Sequence, residues 1–150
     1  MASRPGRCAQ SGWTLLELTI VITVIGIISS YAVPHFGRAI ERSHGDMARA
    51  RLETIWTAER LHWISAKRFS GDLDLLRQEN LLGMETFASL SGDCKSCLFN
   101  YAIVEADEHS FVAVARRINS TRWIGDLQID EQGRITGEIR NRGDNYVIGY

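Results

Sequence analysis

The 21 residues from Trp13 to Val33 contain a single charge, Glu17, and this run dictates what the rest of the chain can do. As a helix rising 1.5 Å per residue it reaches about 32 Å, enough to cross the hydrocarbon core of a bilayer. Glu17 lies one turn inside the run. A carboxylate at membrane depth costs on the order of 3 kcal/mol, so it calls for a partner. The run holds no Lys, Arg or His to serve as one. Cutting the chain after Gly12 would create a cation: Trp13 would carry a free α-amine four residues before Glu17. That amine can meet its own Glu17 or the Glu17 of a neighbouring chain.

Residues 1–12 carry Arg4 and Arg7 and have no apolar periodicity, so they read as a processing segment outside the fold. Two basic residues directly before an apolar run favour a cytoplasmic N-terminus. An ordinary secretory signal is the competing reading, with Ser30-Tyr31-Ala32 as its small-residue cleavage site. Against it stand Glu17 and a run longer than such a signal needs. The octapeptide Ser11-Gly12-Trp13-Thr14-Leu15-Leu16-Glu17-Leu18 closely resembles the prepilin signal of type IV pilins and type II secretion pseudopilins. Gly26 and Pro34 fall where that family often has Gly and Pro, while Trp13 stands where it usually has Phe.

The resemblance implies a peptidase that cuts between Gly12 and Trp13 and methylates Trp13, and a Glu17 that serves subunit docking. It implies self-assembly into a filament, an inner-membrane platform and a cytoplasmic ATPase as partners, and no cofactor. Before assembly such a subunit is a single-span inner-membrane protein. Afterwards it belongs to a cell-surface pilus or a periplasmic pseudopilus. The expected function is therefore a structural filament subunit, with a secretion pseudopilin or a minor pilin that binds DNA or a surface as alternatives.

Beyond the run, Pro34 is expected to bend the helix and not to end it, because the pattern downstream stays helical. Ile40, Met47, Ala48, Leu52, Ile55, Trp56, Ala58, Trp63 and Ala66 fall on one arc at 100° per residue, with Arg51 and Glu59 intruding. This predicts one helix of about 50 residues, membrane-embedded first and amphipathic second. The division that follows is a leader at 1–12, a membrane or polymerisation helix at 13–34 and a globular domain at 35–150. Lys67–Gly71 breaks the helix; 72–83 reads as a short helix capped by Asp72 and Gly83. Residues 84–95 read as a loop. Strands are expected at 98–105, 110–118, 123–130 and 134–140, with Tyr146-Val147-Ile148 as a last edge pairing. Short connections make the sheet an antiparallel meander. The fold class is α+β: a long helix packed on a four-stranded antiparallel sheet, an order that also resembles the pilin globular domain.

The charged and reactive residues exclude more than they suggest. Net charge is −1, so bulk charge does not point to nucleic acid. Of three cysteines, Cys8 leaves with the leader; Cys94 and Cys97 form an even pair in an exported domain, which favours a disulfide. A zinc site would need two further ligands, and none comes at finger spacing. His35, His44, His62 and His109 are scattered and read as core or surface residues. Trp56 and Trp63, seven apart, read as core packing. Asp126, Asp130 and Asp144 lack the spacing of a calcium loop. Arg116, Arg117, Arg122, Arg134, Arg140 and Arg142 are the one basic cluster, and a shared face for them depends on how the hairpins fold. The chain shows no phosphate loop, nucleophile elbow or zinc-binding His-Glu pair, so no enzyme is expected.

Overall fold

The computed structural model describes residues 13–83 and 96–150. Its elements are α1 (Leu15–Ala66), α2 (Leu73–Gln78), β1 (Phe99–Ala106), β2 (Phe111–Arg117), β3 (Trp123–Asp130), β4 (Ile135–Asn141) and β5 (Val147–Gly149). The chain divides into two compact units, Met1–Ile40 and Glu41–Tyr150.

In the first unit α1 starts with a capping box. The Glu17 amide donates to Thr14 Oγ1 at 3.1 Å, and the Thr14 amide donates to Glu17 Oε2 at 3.5 Å. The helix then runs through Pro34 without ending. Three hydroxyls in the apolar run turn back on their own backbone: Thr19 to the Leu16 carbonyl, Thr23 to that of Thr19, Ser30 to that of Ile27. No hydroxyl of these three is left to face an apolar surround unsatisfied, which is what a lipid-facing or helix-facing segment requires.

The second unit carries the core. Along α1 the buried residues are Glu41, Gly45, Ala48, Leu52, Ile55, Glu59 and His62, with Ala58 beside them. Their spacing alternates four and three, the seam of a helix that lays one narrow stripe on a partner surface. The arc read from apolar residues alone was therefore centred too far to one side. Ile40 and Met47 are largely exposed, and polar residues occupy the stripe in their place. At Gly45 a Cβ would fall on the Tyr150 hydroxyl, so glycine lets the Tyr150 ring pack close against α1.

The stripe packs on the inner face of the sheet, where Phe99, Tyr101, Phe111, Ala113, Ala115, Trp123, Leu127, Ile129, Ile139 and Ile148 form one cluster with it. The sheet is an antiparallel meander in the order β1-β2-β3-β4-β5. It has five strands where four were expected. Asx turns at Asn141 and Asp144 accept the Gly143 and Tyr146 amides and fold the tail back, so β5 pairs with β4.

Two tryptophans fasten α1 to the hairpin turns. Trp56 Nε1 donates to the Glu131 carbonyl and Trp63 Nε1 to the Glu108 carbonyl, each at 3.0 Å. Both rings pack against the core, as core-packing residues do. Lys67, with φ 58°, ends α1. Asp72 caps α2 by accepting the Asp74 amide, as expected. The far cap differs: Asn80 adopts φ 57° and the Leu81 and Leu82 amides bond back to the Leu76 carbonyl. That left-handed closure ends α2 before Gly83 is reached.

Candidate assembly surface

The surface with most to explain is the first unit's helix. Every described side chain from Trp13 to Val33 is exposed, including Leu15, Leu16, Ile20, Ile22, Ile25, Ile27 and Ile28. It is long and apolar enough to cross a membrane. An apolar surface of this extent marks a lipid or protein contact, because a free monomer rarely exposes so much. Glu17 lies on it, one turn from Trp13, and among the described residues it bonds within the capping box. Trp13 itself precedes the helix with its ring exposed. Gly12 lies outside the described residues. Pro34 lies within α1. Farther along, His35 stacks on Tyr31 with ring centroids 4.7 Å apart and bonds its carbonyl.

The buried charged residues of the α1 stripe fall into two clusters in the second unit. Arg117 reaches inward from β2 to Glu41: Nε to Oε1 at 2.6 Å and Nη2 to Oε2 at 3.2 Å, with both side chains 4% exposed. Its remaining nitrogen donates to the Leu98 and Ile118 carbonyls. His44 Nδ1 meets the same carboxylate at 3.1 Å. Burial alone would raise the Glu41 carboxyl, but the bonds and charges of Arg117 and His44 outweigh it and hold the group below its ordinary value. In the other cluster Glu59, fully buried, accepts both the amide and the hydroxyl of Ser70 at 2.8 Å. Next to it on the stripe, His62 Nδ1 lies 2.7 Å from Glu79 Oε2. These carboxylates bind α1 to the sheet and to the α1–α2 connection.

Cys97 is disulfide-bonded, and Asn119 Nδ2 donates to its carbonyl at 2.9 Å. Cys94 lies outside the described residues, as does the expected 84–95 loop. The three aspartates considered for calcium are spread apart in role. Asp130 accepts the Gln132 and Arg134 amides and pairs with Arg134; Asp144 accepts the Tyr146 amide; Asp126 accepts from Gln128. Among the described residues there is no group of three or more metal-ligating acids, histidines or cysteines. The six arginines likewise do not share a face. Arg117 turns inward to Glu41, whereas Arg116, Arg122, Arg134, Arg140 and Arg142 are exposed, Arg134 paired with Asp130 and Arg140 with Glu138. Two features escaped the sequence reading, and both had a signal. Thr14-Leu15-Leu16-Glu17 is the Thr-x-x-Glu of a capping box. Glu41, Glu59 and His62 fall on a heptad with Leu52 and Ile55.

This chain is similar to proteins named type IV major pilins and type IV major fimbrial proteins. It is 31% identical over 88 residues to the type IV major pilin protein PilA of Myxococcus xanthus, covering 56% of this chain and 40% of that protein. It is 32% identical over 85 residues to the type IV major alpha-pilin of Moraxella bovis, covering 57% and 50%. A type IV major fimbrial protein FimA of Dichelobacter nodosus is 29% identical over 114 residues, covering 72% of each. The chain spans about half the length of the first two of these relatives. No family model matches it.

Proposed function

We propose that this chain, similar in sequence to type IV major pilins, is a structural subunit of a type IV pilus-like filament. The observation that carries the reading is the exposed apolar helix with one acid near its start, continuing into the helix of a folded α+β head. Buried among copies of itself, that surface leaves water; alone, it needs a membrane. The names of the similar proteins favour a pilus over a secretion pseudopilus. In this reading the precursor spans the inner membrane once with its N-terminus in the cytoplasm. A prepilin peptidase cuts between Gly12 and Trp13 and methylates Trp13. A platform and an ATPase then extract the subunit, and Glu17 meets the Trp13 amine of a neighbour. Pro34 supplies a bend that lets the helix fit its neighbours.

Shearing cells and analysing the released filaments by mass spectrometry tests this. The chain is expected in the filament fraction, starting at an N-methylated Trp13. Gly12→Leu is expected to leave the precursor uncut and absent from filaments, because the peptidase site needs no side chain at the scissile bond. A mature chain beginning at Val33 overturns the reading in favour of an ordinary secretory signal.

The partner of Cys97 in this reading is Cys94, since Cys8 leaves with the leader. The mature protein is expected to take up no alkylating reagent before reduction and two equivalents after it, and to run as a monomer on a non-reducing gel. Labelling of Cys94 without reduction rules the pairing out. The closed loop is tiny, so Cys94→Ser is expected to cost little stability.

A further inference from the structure

The outer face of the sheet carries an unresolved repulsion. Trp123 pairs with Asn141, and the Arg142 amide bonds the Arg122 carbonyl at 2.8 Å, so the register continues and sets Arg122 directly opposite Arg142. Like charges placed opposite each other across strands are destabilising. Four other arginines of the head meet an acid: Arg117 with Glu41, Arg134 with Asp130, Arg140 with Glu138, Arg49 with Glu53. Arg122 and Arg142 are exposed, and no acid among the described residues reaches either as an ion pair. At the other end of the sheet the β1–β2 turn shows the opposite sign. Glu105 and Glu108 are exposed there and have no ion-paired base among the described residues. Asp107 between them is held ionised by the His109 and Ser110 amides, which lower its carboxyl below the ordinary value. Lys67 stands close by with its ammonium 5.0 Å from the centre of the Trp63 ring.

The two sites lie at opposite ends of the head. α1 marks the distance: Glu41 is bonded to Arg117 at the arginine end, and Trp63 to Glu108 at the acidic end. Those 22 residues of helix span roughly 33 Å. An open filament needs a heterologous contact, two different and complementary patches on one subunit. We propose that the Arg122–Arg142 ridge of one copy receives the Glu105–Glu108 turn of a second copy, an electrostatic head-to-tail contact between subunits. The proposal rests on the filament reading. A second copy suits the ridge better than an extended polyanion does. Such a ligand laid along the sheet would run from the ridge past Arg140, already paired with Glu138, onto Asp126 and Glu138, which face each other two rows away. A compact acidic turn meets only the end.

The test uses full-length protein in cells that make the filament. Arg122→Glu with Arg142→Glu, and Glu105→Arg with Glu108→Arg, are each expected to cut sheared filament yield about fivefold while the subunit accumulates normally in the membrane. All four substitutions together are expected to restore yield to near wild type, because the patches exchange sign. Wild-type filaments should also grow more fragile as salt rises. Normal yield from both doubles, or a quadruple variant no better than either, overturns the contact. Loss of retention on immobilised DNA or heparin by the arginine double, with filament yield unchanged, assigns the ridge to a polyanion and overturns it too. If wild-type protein is itself absent from filaments, the filament reading falls and this contact with it.

Discussion

Glu41→Ala is expected to destabilise the head by about 3–5 kcal/mol, the cost of stranding a buried arginine. The Arg117 guanidinium is 4% exposed and spends two of its donors on Glu41. Without the carboxylate its charge stays buried, with the Leu98 and Ile118 carbonyls and the face of the Phe99 ring left to meet it. Urea unfolding of the detergent-solubilised chain, followed by tryptophan fluorescence, measures the loss. Removing both partners should do less harm: Glu41→Leu with Arg117→Met is expected to be milder than Glu41→Ala alone, because no charge remains to be desolvated. A double variant as unstable as the sum of its singles would show that the pair does not act as a unit. Because the folded protein lowers the Glu41 carboxyl, the pair contributes fully above the ordinary carboxylate range. Its contribution is lost as pH falls through the lowered value. Wild type should therefore lose stability in acid, and Glu41→Gln should lose less over the same window.

Glu17→Ala and Glu17→Gln are both expected to abolish filaments, leaving on the order of a tenth of wild-type yield or less, while protein accumulates in the inner membrane. The expected size follows from the low-dielectric surround, where a single charge pair is strongly directional. The two variants do different things locally. Alanine also removes the bond from Glu17 back to the Thr14 amide, at about 1 kcal/mol for a lost cap. Glutamine can keep that bond, since a capping box accepts Gln in place of Glu. The Gln variant thus isolates the charge. If Glu17→Gln assembles normally and Glu17→Ala does not, Glu17 is a helix cap and the amine pairing is wrong. Neither change should impair insertion, because removing a membrane charge eases it.

Much of the fold could be read in advance where apolar spacing decides it. β3 falls at Trp123–Asp130 as expected, because Ile129 and Leu127 alternate cleanly with polar residues and the neighbouring turns are short. The end of α1 also falls where the pattern breaks. The face of α1 was misjudged because hydrophobic counting cannot see a buried acid. Glu41 and Glu59 belong to the core only because Arg117, 76 residues away, and Ser70 come to meet them. Asn80 took the role given to Gly83 because asparagine also tolerates a left-handed backbone. The apolar surface and its single acid were plain from the first residues. That Glu17 is also half of a capping box could have been read from Thr14 three places earlier. The arginine cluster was not resolvable in advance: which members turn inward depends on the strand register, and one step along a strand reverses the face.

The indole bonds have a mechanical consequence. In the filament proposed here, a pull between subunits would enter each head along α1. Within the head, Glu41–Arg117, Trp56–Glu131 and Trp63–Glu108 attach that helix to the sheet at three heights along its axis. A pull along the axis strains all three together, as shear, and none can be peeled away before the next. Resistance to forced unfolding is set by the rate of crossing a barrier and not by equilibrium stability alone. Attachments that must fail together raise that barrier, so the head should bear a sustained pull better than its modest size suggests.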